Sequence, residues 1–197
     1  MKYIIALSLI FSFFIVTGQT TNFSYPEKVY DSLKERGVSN FIFIERSFFG
    51  MRILDSLGGP DKYHYIFWQV GTNTFFQESK YYGDKIIKAP VKVISNSDIF
   101  SLLMSYFDSI KIEEFLPFIV KSESNGIESY APLITIHKGY FDLLLYSKNE
   151  VIHKSFEDSY LQDGPAGFKN LNYHYNNSTK LRLLWNKLWE VINSYSH

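Results

Sequence analysis

The sequence predicts an α+β fold, an antiparallel sheet of about five to seven strands with helices packed mainly on one face. Three observations carry this. Residues 131–157 alternate apolar and polar side chains over strand-length runs, the period-2 pattern of a sheet with one buried face. Residues 63–81 read as two β-rich runs joined by Gly71-Thr72. Leu181, Leu184, Trp185, Leu188, Val191 and Ile192 recur at helical spacing, so the chain closes on an amphipathic helix.

Taken in order, the elements begin with Met1-Lys2, a short positive segment, and an apolar run from Tyr3 to Val16 broken only by Ser8 and Ser12. Val16-Thr17-Gly18 then places a small residue before Gln19. This layout is that of a secretory signal peptide over residues 1–18, and the run is shorter than the roughly 18–20 residues that span a bilayer. Residues 19–197 are expected to form one soluble domain with no membrane insertion after cleavage, in the periplasm or outside the cell. No cysteine follows the run to carry a lipid.

Ser24 and Glu27 have the spacing of a capping box, with Pro26 in the first turn, and Gly37 sits where the helix should end. Phe41-Ile42-Phe43-Ile44 reads as a strand. Residues 48–57 fit no single period, and Gly58-Gly59-Pro60 is a break. The Gly71-Thr72 turn pairs Trp68 with Phe75 and Phe67 with Phe76, so both faces of that hairpin carry large aromatics. Residues 82–90 read as turn and linker, and 91–94 as a short strand. Asn96 or Ser97 caps a helix with Ile99, Leu103, Tyr106, Phe107 and Ile110 on one face. Residues 113–120 read as a short helical turn broken at Pro117, and 122–126 as a polar loop.

Turns at Lys138-Gly139 and Lys148-Asn149 would fold residues 131–157 into a three-stranded meander. One face then holds Ile134, Ile136, Phe141, Leu143, Leu145, Ile152 and Phe156, interrupted by Lys154. The other holds Thr135, His137, Tyr140, Asp142, Leu144, Tyr146, His153, Ser155 and Glu157. Residues 163–172 are a loop, and Ser178 is placed to cap the last helix.

Composition removes several functions. The 197 residues hold 20 Lys plus Arg against 20 Asp plus Glu, so the chain lacks the basic footprint of a nucleic-acid binder. A hydrophobic content of 46% is that of a folded protein. With no Cys there is no disulfide, thiolate metal site or thiol nucleophile. No phosphate-binding glycine loop, calcium loop or Gly-X-Ser-X-Gly elbow occurs, and no cofactor is expected.

The five histidines do not pair at metal-binding spacing. In the meander register His137 and His153 start about 16 Å apart, against metal–nitrogen bonds of about 2 Å. The polar sheet face at His137, Tyr140, Asp142 and Glu157 is a candidate acid–base surface, although Ser155 lies mid-strand with no sharp turn to present it. The first hairpin is a candidate binding surface through Trp68, Phe75, Tyr65 and Tyr82, because aromatics can stack on sugars or anchor a protein.

Tyr65-Ile66-Phe67-Trp68, Thr74-Phe75-Phe76-Gln77, Tyr82-Gly83 and Lys88-Ala89-Pro90-Val91 together resemble a pattern in small exported proteins of Bacteroidota. Asn172-Tyr173-His174-Tyr175-Asn176 before the Leu-rich last helix resembles their C-terminal end. The resemblance implies an exported compartment and no particular activity. The signal segment, the missing catalytic motifs and the aromatic hairpin lead to the expectation of a non-enzymatic domain that binds a protein or glycan of the cell envelope. The alternative is a metal-independent hydrolase of an envelope polymer, with two carboxylates, or a His and a carboxylate, converging in a cleft. A third reading, an inhibitor acting through an acidic face, finds no charge excess to support it.

Overall fold

The computed structural model describes residues 25–49, 59–95, 98–132, 138–164 and 169–196. The signal segment, Ser24, the expected caps Asn96 and Ser97, and Ile134, Thr135, Ile136 and His137 lie outside the described residues. The chain divides into two compact units at Gly37 and Val38. The first contributes helix α1 (Tyr25–Glu35). Gly37 follows its last turn with φ of 72°, a left-handed conformation that turns the chain away, and its N–H donates to the Lys34 carbonyl at 2.9 Å.

The second unit is built on strands β1 (Phe41–Phe49), β2 (Lys62–Val70), β3 (Asn73–Tyr82), β4 (Lys85–Lys88) and β5 (Lys92–Ile94). Helices α2 (Ile99–Ser105) and α3 (Phe107–Ile112) follow, then β6 (Ile119–Ser124) and β7 (Ile127–Pro132). The chain continues through β8 (Lys138–Ser147) and β9 (Glu150–Glu157), a 3₁₀ turn at 158–161, α4 (Tyr173–Ser178) and α5 (Lys180–Tyr195). Seven strands form one antiparallel sheet in the order β4-β3-β2-β1-β8-β9, with β5 also on β3, and β6-β7 stand apart as a second sheet. The architecture is the α+β fold the sequence predicts. Among the described residues no helix is long and apolar enough to cross a membrane.

Local pattern explains the parts that match. Gly71 has φ of 60° while Thr72 does not enter the positive region, as a type II′ turn requires, and Trp68 pairs with Phe75 and Phe67 with Phe76. Lys148 and Asn149 both have positive φ, a type I′ turn that sets Tyr146 against Val151. Helices α2, α3 and α5 cover one sheet face, where Ile42, Phe67, Phe76, Leu143, Leu145 and Phe156 meet Leu103, Phe107, Leu184 and Leu188. Trp185 packs edge-on to Phe141 at 4.8 Å and Phe156 at 5.0 Å.

Long-range pairing explains the parts that differ. Lys138-Gly139 is not a turn: both residues lie in β8 and pair with Phe49 and Phe48 of β1. The three-stranded meander is thus a two-stranded hairpin whose third neighbour is β1, far away in sequence. Residues 122–126 are not a loop but the end of the β6-β7 hairpin, turned by Asn125 and Gly126, both with positive φ. Residues 113–118 carry no helical turn. The linker at 82–90 contains β4, and the helix beginning at Ile99 is interrupted at Tyr106. Thr179, not Ser178, caps α5, its hydroxyl accepting from Arg182 N at 3.0 Å.

Lys154 does interrupt the apolar face, and the fold satisfies it there. It is 3% exposed, and its ammonium donates to the Lys111 carbonyl at 3.0 Å and to Glu114 at 2.6 Å. A cation at the last carbonyls of α3 also complements the helix dipole. Next to it, Asn176 holds the irregular 113–118 strap. Its amide accepts from Leu116 N at 2.8 Å and donates to the Leu116 carbonyl at 2.9 Å and the Tyr160 carbonyl at 2.7 Å. Glu113 accepts from Leu181 N at 2.7 Å, which ties the same strap to the start of α5. Replacing Asn176 by Ala strands these backbone groups in a buried setting. The expected loss is about 2–3 kcal/mol of unfolding free energy, read from urea titrations; a loss near zero would contradict the clasp.

Candidate binding site

The hairpin aromatics do not form the exposed stacking surface expected of them. Trp68 is 1% exposed and Tyr65 is 3% exposed, on opposite faces of β2, whose residues 64–68 are all buried. Trp68 stacks on Phe75 at 5.5 Å, and Phe75 and Tyr82 are each only partly exposed. A central strand buried on both faces leaves Trp68 and Tyr65 to packing.

The polar face is assembled in part. Tyr140 pairs with Glu157 and Asp142 with Ser155 across β8 and β9. The Ser155 hydroxyl donates to Asp142, and His153 Nε2 lies 3.4 Å from the same carboxylate. His137 lies outside the described residues. Because Ser155 gives its proton to a carboxylate rather than to an imidazole, the arrangement is not a nucleophile with its base. Among the described residues no cluster of His, Asp and Glu could hold a metal ion.

Sequence reading missed that this row continues across the sheet. Asp142 pairs with Glu45 on β1, and Glu45 with His64 on β2. His64 Nε2 and Glu45 Oε2 are 2.6 Å apart, and Lys62 Nζ is 3.5 Å from the same oxygen. His64 is 1% exposed, so a soluble substrate does not reach it. Its hydrogen bond, helped by the nearby charges, pulls the Glu45 carboxyl below its ordinary value of 4.5 despite burial. Burial pulls the His64 imidazole below its ordinary 6.5, against the opposing pull of its hydrogen bond to the Glu45 carboxylate. The strand alternation put Glu45 and His64 on one face; only the β1-β2 register puts them side by side.

A second cluster lies on the helix-bearing face, at the end where β1 leaves the sheet and β2 enters it. The Arg46 guanidinium sits 4.7 Å from the Phe48 ring, 5.2 Å from Trp189 and 5.5 Å from Phe141. Phe48 meets Tyr63 edge-on at 6.1 Å, and Tyr63 stacks parallel to Tyr65 at 6.0 Å. Burial pushes the Tyr65 hydroxyl far above its ordinary range, more than the nearby Arg46 charge lowers it. Lys80 lies 5.9 Å over Tyr63 and is paired with the buried Glu78 at 3.6 Å. Among the described residues Arg46 has no carboxylate partner, and its buried Nε has no hydrogen-bond partner. Phe48 is 45% exposed, and Arg46, Tyr63 and Trp189 are partly exposed.

This arrangement supplies an aromatic surface around a cation that has no carboxylate partner among the described residues. Each ring attracts the guanidinium through its negative face, by about 0.5–2 kcal/mol according to exposure. The rings hold the arginine in place without spending its charge on an acid. Elsewhere, a recess of about 220 Å³ lies between β5, α2 and α5, bordered by Asp98, Lys187 and Glu190, and the β6-β7 hairpin exposes Ile127 and Tyr130.

The row at Glu45 and His64 makes a pH prediction. Both pKa values are depressed in the folded protein, so the unfolded chain takes up protons first as pH falls. The pair's contribution is complete above 6.5 and drains as pH falls through 6.5 and then 4.5. Urea midpoints should therefore fall toward acid over this window, and His64→Gln should flatten the upper part of that fall. An unchanged slope in the variant would remove His64 from the account.

No family model, no curated protein and no solved structure matches this chain.

Proposed function

We propose that this chain is an exported, non-catalytic binding module of the cell envelope, and that it meets its partner through Arg46, Phe48, Tyr63 and Trp189. One observation carries the reading. Arg46 is a cation fixed by three aromatic rings, without a carboxylate among the described residues, at a partly exposed end of the sheet. Arginine and large aromatics are the side chains that dominate binding surfaces, because they combine area with few rotamers. Export rests on Met1-Lys2 and the apolar run to Val16. The expected partner is a glycan or a protein of the envelope.

The acid–base alternative draws on Asp142 and Glu157. Asp142 is engaged by Ser155 and His153, and Glu157 lies near the Ser159 hydroxyl, which donates to it at 3.3 Å. These pairings suit a hydrogen-bonded sheet face, and so the binding reading is preferred.

The test is retention of envelope components by the purified protein, compared with Arg46→Met and Phe48→Ala, and with Tyr130→Ser on the distant hairpin as control. The expected result is a partner held by the parent and by the Tyr130 variant, and held roughly tenfold more weakly by the other two, about 1.4 kcal/mol. Equal retention by all four proteins would refute the assignment of the surface.

A further inference from the structure

We infer that the ligand of the Arg46 surface is a glycan bearing carboxylates. This rests on the binding reading above and names the class of partner.

A stable protein interface needs about 800 Å² on each partner. Among the described residues the exposed apolar part of this surface is little more than Phe48, flanked by the partly exposed Tyr63 and Trp189. A few rings suffice for a sugar, whose C–H face covers one aromatic side chain at a time.

Charge then selects the kind of sugar. Two cations border the rings. Lys80 is already offset by Glu78 at 3.6 Å. Arg46 has no such acid among the described residues: its neighbours there are the rings of Phe48, Phe141 and Trp189 and the Tyr65 hydroxyl. The Arg46 Nε is buried among these rings, but the side chain is partly exposed, and a guanidinium offers a carboxylate the planar N–H fork of a two-pronged pair. A neutral sugar would leave this cation uncompensated while removing water from it, which costs free energy. A carboxylate at the edge of a stacked sugar ring meets both requirements at once. Neither Trp68 nor Tyr130 offers this combination: Trp68 is buried, and beside Tyr130 the cation Lys121 is already paired with Glu128, which also accepts the Tyr130 hydroxyl at 2.8 Å.

The experiment titrates oligogalacturonate, and separately its methyl ester, into the purified protein by calorimetry. The ester keeps the sugar rings and linkage and removes the charge. Arg46→Met and Arg46→Lys are titrated in parallel, the second keeping the charge and losing the planar fork. The expected result is binding of the acid, at least tenfold weaker binding of the ester, and loss in Arg46→Met at an unchanged unfolding midpoint. Arg46→Lys should fall between the two, and it carries the test if the methionine variant does not fold. Equal affinity for acid and ester would overturn the carboxylate assignment. Binding of neither sugar, together with an Arg46-dependent partner retained from envelope material, would overturn the glycan class and leave the binding module standing. Retention of no envelope partner at all would overturn both.

Discussion

The fold turns on how much of one sheet face a few helices can cover. Strands β1, β2 and β3 run 9, 9 and 10 residues, roughly 30 Å of sheet. Helix α5 has 16 residues, roughly 24 Å, and covers a stripe about 10 Å wide. It crosses from Phe156 and Phe141, under Trp185, to Phe76, under Tyr195. Helices α2 and α3 extend the cover, with Leu103 and Phe107 in the same core. Toward the Phe48 end of β1, beside the row that α5 reaches at Phe141, side chains are partly solvated. That is where Arg46, Phe48 and Tyr63 lie, with Trp189 reaching them from the helix.

The polar groups inside this frame are each tied to a particular neighbour. Lys154 closes the end of α3, Asn176 holds the Leu116 backbone, and His64 shares a hydrogen bond with Glu45. A one-residue slip of β9 would carry Lys154 to the opposite face and away from its partners. Such groups add little net stability, because desolvation offsets most of what the bonds return. Their effect is to make the wrong registers expensive. Arg46 differs from them in kind: it lies against the rings of Phe48, Phe141 and Trp189, and among the described residues no carboxylate pairs with it.

Legibility in the sequence followed the range of the contacts. The hairpin at Gly71 and the one at Lys148 were readable because alternation and turn residues are adjacent in the chain. The stripe of α5 was readable for the same reason. The partner of β8 was not, because its pattern suits a strand on either side and β1 is distant in sequence. The β6-β7 hairpin carried one local signal, Asn125-Gly126, but its strands are rich in Ser and charge and exposed throughout β7, so hydrophobic alternation was missing. Of the candidate binding site, only the presence of aromatics around the first hairpin could be read. Which of them would be buried depended on the cover over both faces of β2. Arg46 was invisible, because a guanidinium between Phe48, Phe141 and Trp189 exists only once β1, β8 and α5 have met.

The central claim is that recognition takes place at the partly exposed end of β1 and β2. Hydrogen exchange of the backbone amides, with and without saturating envelope glycan, locates the contact directly. The account predicts slowed exchange confined to the Arg46–Phe48 end of β1, the Lys62–Tyr63 start of β2 and the turn of α5 around Trp189. Slowed exchange on the β6-β7 hairpin, or along the Asp142–Ser155 face of β8 and β9, with none at Arg46, would contradict it.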